Sequence, residues 1–314
     1  MNSSENHLIL IAGPTCSGKS SLAREIGIKF NGQIINADSM QTYSDLNILT
    51  SRPSNIDLLS VPHKLYGYLD GGNRGNLASW HKEAALEIVN TSREKALPIV
   101  VGGTGLYLNS LIHGISTVPE ISSEIKQYVK DFEIKNGLAS IYNDLKKIDS
   151  VGLERINPND KQRILRSYEV FLSTGKTLSF WQSKEKDRPL SNYKIYNILF
   201  MPNREELYKS CDIRFDDMIK FGAIEEVVAL NQKKLDISLP IMNAIGVREL
   251  TDYLEQNIHL EEAINKAKQS TRNYAKRQIT WFKNQFNSST VIFEQFSESL
   301  RLKIFPKIHQ FLLT

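Results

Sequence analysis

The stretch Gly13-Pro14-Thr15-Cys16-Ser17-Gly18-Lys19-Ser20 limits what this chain can fold into more than any other. It follows an apolar run, Leu8-Ile9-Leu10-Ile11-Ala12, and precedes a helix-like segment, Ser21 to Phe30. A strand, a G-x-x-x-x-G-K-[ST] loop and a helix in succession are the context a phosphate-binding P-loop needs. Glycines let the backbone curl until successive N–H groups face one concavity, with the positive end of the helix dipole behind them. Lys19 then reaches the terminal phosphate oxygens, and the Ser20 hydroxyl ligates Mg²⁺. A chance Gly-rich turn would meet all three conditions only by coincidence. The chain is therefore expected to bind a phosphorylated ligand.

The rest of the N-terminal part reads as an alternation of strands and helices. Gln33 to Ala37 is an expected strand ending at Asp38, and the segment from Asp45 to Pro62 reads as loops with one short helix. Leu65 to Leu69 is expected as another short strand. Asn76 or Ser79 caps a helix running to about Lys95, with Leu77, Trp80, Ala84, Ala85 and Ile88 on one face. Pro98 to Val101 makes a buried strand ending in Gly102-Gly103-Thr104-Gly105. This pattern predicts an α/β fold, a P-loop NTPase-like core with a doubly wound parallel sheet and ligands at the carboxyl ends of its strands. From about Val118 strand signals give way to long helical patterns, so residues 119–192 are expected as a helical insertion domain. The core is then 1–118 and 193–314, with strands at Ile195 to Met201 and Thr290 to Phe293 and a closing helix from about Ser297.

Composition adds mainly exclusions. The hydrophobic share of 41% and charged share of 24% are ordinary for a globular chain. No apolar run is long enough to span a bilayer, and Met1 to His7 lacks the pattern of a signal peptide. Two cysteines, Cys16 and Cys211, without a nearby cysteine in sequence, give neither a disulfide framework nor a zinc site. Cys16 reads as a small filler of the loop. These features lead us to expect a cytoplasmic protein; a monomer is also expected. A net charge of +4 is too weak to establish nucleic-acid binding, but Asn265 to Asn284 holds six Lys/Arg and no acid.

Several motifs remain open when read from residues alone. Asp38 can be a Mg²⁺ ligand, a general base or the cap of the next turn. The strand at Ile99 ends in glycines where an ATP hydrolase would want an acid, which argues against ATP hydrolysis. Gly102 to Gly105 offers backbone amides and one hydroxyl near the phosphates, or merely a tight turn. Arg214 on a helix and the pair Arg163 and Arg166 on another each have a solvated face as the plain reading. Lys268, Arg272 and Lys276 recur every four residues as a cationic stripe, while Ala267, Thr271, Tyr274, Gln278 and Trp281 form a second face suited to packing. Such a helix suits a phosphodiester backbone.

Taken in order, these motifs resemble the bacterial-type tRNA dimethylallyltransferase (tRNA isopentenyltransferase) family. The resemblance rests on Gly-Pro-Thr-x-Ser-Gly-Lys-Ser at 13–20, Ala-Asp-Ser-Met-Gln-x-Tyr at 37–43, Val-Pro-His at 61–63, Val-Gly-Gly-Thr-Gly-Leu-Tyr at 101–107, Asn-Pro-Asn-Asp-x-Gln-Arg at 157–163 and Arg-x-Tyr-Ala-Lys-Arg-Gln-x-Thr-Trp-Phe at 272–282. The chain departs from the family where Leu49-Thr50-Ser51-Arg52-Pro53 replaces Gly-Thr-Ala-Lys-Pro, and at Val247, usually aromatic.

The resemblance implies transfer of a dimethylallyl group from dimethylallyl diphosphate to N6 of adenine 37 beside the tRNA anticodon, with Mg²⁺ as cofactor. The P-loop then holds a diphosphate leaving group. Asp38 takes the N6 proton, and Lys19, Arg214, Thr104 and Mg²⁺ at Ser20 stabilise the charge on the diphosphate. The adenine leaves its stack to reach a pocket bordered by Ser39, Met40 and Gln41. Gln162, Arg163 and Arg166 on the insertion, with Arg248, Lys276 and Arg277 on the core, clamp the anticodon stem-loop. Two rivals remain. A P-loop small-molecule or nucleotide kinase would use Asp38 as base and the insertion as lid. A GTPase-like RNA-binding switch would want an Asn-Lys-x-Asp loop, which the sequence lacks.

Overall fold

A computed structural model describes residues 6–314. The polar N-terminal stretch discussed above therefore lies outside the described residues, except Asn6 and His7. Six strands form one sheet: β1 (Asn6–Ala12), β2 (Gly32–Asn36), β3 (His63–Lys64), β4 (Leu97–Gly102), β5 (Tyr193–Phe200) and β6 (Thr290–Ile292). Their order is β3-β2-β4-β1-β5-β6, and every pairing is parallel. Helices follow as α1 (Lys19–Lys29), α2 (Asn55–Ser60), α3 (Leu77–Arg93), α4 (Gly105–His113), α5 (Ser123–Asn136), α6 (Leu138–Ile148), α7 (Ser150–Leu153), α8 (Lys161–Thr174), α9 (Leu178–Ser183), α10 (Arg204–Lys220), α11 (Ala223–Gln232), α12 (Val247–Leu254), α13 (Leu260–Gln285) and α14 (Glu298–Leu312).

The alternation of side chains along a strand explains why β1 is apolar on both faces. Leu8, Leu10 and Ala12 enter one core with Trp80, Ala84 and Ile88 of α3 and Phe282 of α13. Ile9 and Ile11 enter the other with Leu22 and Ile26 of α1 and Leu300 and Ile304 of α14. The helices lie on both sides of the sheet, so the doubly wound α/β core expected from the sequence is the observed one. A third core, built from Leu46, Phe215, Val227, Val247, Leu250 and Ala263 among others, joins α10 to α13.

Two local expectations need correction or choice. The strand expected at Leu65 to Leu69 is instead His63–Lys64, paired with Ile34 and Ile35. The chain leaves the extended region at Leu65, with φ 62°, and again at Gly67, with φ 56°, so only Leu69 makes an isolated bridge, to Tyr43. At α3, Asn76 and not Ser79 is the cap; its side chain accepts the Ser79 amide at 2.9 Å.

By compactness the chain forms two units, residues 1–112 with 190–314 and residues 113–189. The second unit has its own core of Val129, Ile141, Leu145, Leu153, Ile164 and Tyr168. Its two chain crossings are tied by reciprocal hydrogen bonds between the backbones of Ile115 and Asp187, at 3.1 and 2.9 Å.

Candidate active site

The P-loop connects β1 to α1, and Gly18 is the N-terminal boundary residue of that helix with φ 88°, a left-handed conformation natural to glycine. A Cβ there would also meet the Phe296 Cβ at 2.5 Å and its backbone N at 2.8 Å, so the loop is closed from outside by the segment before α14. Inside it, the Ser17 hydroxyl is buried with no partner among the described residues. The Lys19 ammonium donates to the Pro14 carbonyl at 3.2 Å. Burial pushes Lys19 below the ordinary lysine range, Asp38 draws it back up, and Arg214 lowers it further. A Thr15 hydroxyl bonded to the Arg214 guanidinium completes a site with two cations and one carboxylate. Such a site carries spare positive charge for an anion.

Asp38 follows β2. Its Oδ1 accepts the Met40 amide at 3.0 Å, and its own amide donates to Asn36 Oδ1 at 2.8 Å. The capping alternative is thus real, but it occupies one carboxylate oxygen and leaves Oδ2 for chemistry. Asp38 lines a cavity of about 240 Å³ together with Thr15, Ser39, Met40, Leu49, Thr50, Arg214, Phe215, Met218, Tyr274 and Arg277. The apolar part comes from Met40, Leu49, Phe215 and Met218, and the polar part from Asp38, Thr15 and Arg214. Burial, then the Asp38 charge, pushes the Tyr274 phenol up, so it stays a neutral donor at the cavity wall.

The structure also places two residues less directly than the motif reading suggests. The Thr104 hydroxyl accepts the Ser39 amide at 3.0 Å, and its amide donates to the Ala37 carbonyl at 3.1 Å. Thr104 therefore holds the chain on both sides of Asp38. Gln41 Nε2 donates to the Thr50 and Ser51 carbonyls at 2.8 and 2.9 Å, so its side chain shapes the 49–52 loop.

Cys16 and Cys211 have partners after all, which corrects their reading as isolated residues. They come from the P-loop and α10, 195 positions apart in sequence, and pack in one cluster with Leu207 and Ala275. The Cys211 thiol donates to the Cys16 sulfur, and Arg214 and Lys19 add positive charge, so Cys16 is lowered to about 6 while Cys211 is pushed up. The helix N-terminus and neighbouring cations are the usual means of stabilising a thiolate.

The cationic stripe on α13 is the other correction. Lys268 binds Asp216 at 2.7 Å, and Arg272 binds both carboxylate oxygens of Asp212 at 2.5 and 2.7 Å. Both acids sit on α10, so an acid-free stretch of sequence is not an acid-free surface. Lys276 and Arg277 have no ion pair among the described residues; Arg277 lies 5.8 Å from the Tyr274 ring centroid. Arg277 and the exposed Arg248 line one cleft of about 280 Å³ with Asn243, Ser270 and Asn273. In the separate helical unit, Arg163 pairs with Asp160 at 3.3 Å and Arg166 with Glu169 at 3.7 Å. Both pairs are local, the Arg166–Glu169 pair is half-buried, and Gln162 beside them is exposed.

Some site residues escaped the sequence reading. Glu226 on α11 accepts the amides of Asn47, Ile48 and Leu49 at 2.5, 2.8 and 2.9 Å and so fixes the loop that brings Leu49 to the cavity. Nothing in the local sequence marks it. Phe215 and Met218 carried only the signal of a packed helix face.

Comparison with known proteins identifies the family. A family model described as IPP transferase matches residues 41–285. The tRNA dimethylallyltransferase of Zymomonas mobilis is 43% identical over 284 residues, covering 90% of this chain and 90% of its own. That of Paramagnetospirillum magneticum is 40% identical over 314 residues, covering 100% and 99%. Among solved structures, a full-length tRNA isopentenylpyrophosphate transferase from Bacillus halodurans has a TM-score of 0.71 at 30% identity, covering 98% of this chain and 97% of its own. A eukaryotic dimethylallyltransferase acting on tRNA has a TM-score of 0.77 at 30% identity, covering 88% and 70%.

Proposed function

The chain belongs to the IPP transferase family and is a tRNA dimethylallyltransferase, and on that premise we propose that it moves the dimethylallyl group of dimethylallyl diphosphate onto N6 of adenine 37 in the anticodon loop. One observation carries the assignment of roles: a single cavity is lined at once by Asp38, by Thr15 of the P-loop and by Arg214. A proton acceptor and a polyanion cradle thus face the same space.

The exocyclic amine of adenine is a weak nucleophile because its lone pair is delocalised into the ring. Asp38, with Oδ2 unengaged by its turn, takes the N6 proton as the C–N bond forms. As the C–O bond of the donor breaks, negative charge gathers on the diphosphate, where the P-loop amides, Lys19 and Arg214 stabilise it. Thr104 holds the Asp38 segment in place. Met40, Leu49, Phe215 and Met218 supply an apolar wall for the five-carbon group and keep water from the allylic cation.

Mg²⁺ fits these residues. Ser20, exposed on the first turn of α1, would offer its hydroxyl, and diphosphate and water would supply further hard oxygens of the kind Mg²⁺ prefers. Among the described residues no group of three or more His, Cys, Asp and Glu forms a competing metal site. Bound there, the ion would add positive charge against the departing diphosphate.

For tRNA, we assign Lys276, Arg277 and Arg248 of the larger unit, which make no ion pair among the described residues, and Gln162, Arg163 and Arg166 of the helical unit, whose two arginines make only local pairs with Asp160 and Glu169. The flipped adenine would be bordered by Ser39 and Met40, with Gln41 holding the loop behind them. No helix among the described residues is long and apolar enough to cross a membrane. We take the enzyme to act in the cytoplasm as a monomer. Incubating the pure protein with labelled dimethylallyl diphosphate and unmodified tRNA tests the reading. Label should become acid-precipitable with the tRNA; label left in solution, with ATP consumed instead, would favour a kinase.

A further inference from the structure

Gln278 follows Arg277 on α13 but belongs to the buried face of that helix. Its Oε1 accepts the Thr15 amide at 2.8 Å, and its Nε2 donates to the Gly103 carbonyl at 2.9 Å. Thr15 is a P-loop residue that also binds Arg214. Gly103 precedes Thr104, whose amide and hydroxyl hold Ala37 and Ser39 on either side of Asp38. One side chain therefore links the cradle of the leaving group to the segment that carries the carboxylate.

We propose that Gln278 is a positioning residue for the transfer reaction, a clamp that sets the distance between the diphosphate loop and Asp38. The inference rests on reading the P-loop as the diphosphate site. The chemistry of position 278 is narrow. It requires a donor and an acceptor on one short planar group, facing two loops. Glutamate lacks the donor for Gly103, and lysine or arginine lacks the acceptor for Thr15. The approach is also close: a Cβ on Gly103 would lie 2.2 Å from Gln278 Nε2, so glycine is what lets the amide reach the carbonyl. Misplacing reacting groups by about 1 Å can cost on the order of a hundredfold in rate, and a loosened clamp acts on that distance.

The test uses the full-length protein and a double-mutant cycle of Gln278→Ala and Gly103→Ala. Each variant is assayed for kcat, KM for dimethylallyl diphosphate, affinity for magnesium pyrophosphate, tRNA affinity and melting temperature. Gln278→Ala is expected to lower kcat by roughly ten- to a hundredfold, weaken pyrophosphate binding and leave tRNA affinity within about twofold. Gly103→Ala should reproduce that loss by displacing the amide, and add almost nothing once Gln278 is alanine. Should Gln278→Ala fail to fold, Gly103→Ala alone carries the test. A folded Gln278→Ala with unchanged kcat would overturn the proposal. So would losses that add fully in the double variant and extend equally to tRNA affinity and melting temperature, because a general packing residue behaves that way. If the wild-type protein transfers no label to tRNA, the assigned reaction fails, and the clamp is still read from pyrophosphate affinity: non-additive weakening supports it, unchanged affinity rejects it.

Discussion

Lys19 and Lys268 both occupy helices without an acid beside them in sequence, but tertiary structure treats them differently. Lys19 lies beside Arg214 with Asp38 as counter-charge. Lys268 is bonded by Asp216 from the neighbouring helix, as Arg272 is by Asp212. The comparison separates two kinds of basic site. A contiguous loop carries its geometry with it, because eight successive residues dictate both backbone path and donor direction. A stripe of charges along a helix carries only a spacing, and whichever helix packs against it decides how much charge is left to bind RNA.

Substitutions can break or sharpen that contrast. The largest effect is expected for Asp38→Ala, which should reduce transfer by about 10³-fold or more while tRNA binding, followed by filter retention, stays within a few-fold. A loss of binding with intact chemistry would reject the base assignment. Lys19→Met should lower kcat by roughly a hundredfold in steady-state assays, since it removes a cation that has no substitute inside the loop. The Cys211 hydrogen bond, with the charges of Arg214 and Lys19 behind it, should show in Cys16. With its pKa lowered to about 6 from the ordinary 9.0, the thiolate dominates at pH 7, so its iodoacetamide labelling should rise through pH 6 and slow when magnesium pyrophosphate occupies the loop. A labelling midpoint near that of a free thiol would mean that neither the Cys211 hydrogen bond nor the nearby cations stabilise the thiolate.

On the basic helix the effects are smaller and divide by residue. Replacing Lys276 and Arg277 with alanine should weaken tRNA binding about tenfold and reduce the slope of log affinity against log salt by about 0.7–0.9 per lost phosphate contact. Lys268→Ala and Arg272→Ala should leave that slope unchanged and instead cost about 1 kcal/mol or less of stability, seen as a small fall in melting temperature, because partly exposed ion pairs contribute little. If all four cations changed the slope alike, the distinction drawn here between paired and free charges would fail.

The parts legible in the sequence share a physical feature: they are local. The period of β1 and β4, the Gly-rich loop and the caps of the helices each follow from neighbours within a few residues, so the parallel core, the P-loop and Asp38 at the end of β2 were expected and found. Departures arose where local preference met long-range contact. The short β3 stops at Leu65 because the backbone turns left-handed there, against the apolar pattern of Leu65 to Leu69. Cys16 and Cys211 look solitary along the chain and are neighbours in space. Glu226 shows nothing in its own stretch that marks it as the acceptor of three amides near residue 48.

By itself the sequence determined that this protein would place a glycine-rich loop of the phosphate-binding kind after its first strand and a carboxylate, Asp38, at the end of its second. Hydrogen-bond donors spaced along eight residues need no distant partner to define a phosphate nest. Only the tertiary structure decided which cations stay unpaired and what holds the two loops in register. Charge neutralisation and the reach of the Gln278 amide depend on through-space distances between segments 52 to 263 residues apart, about which a linear pattern is silent.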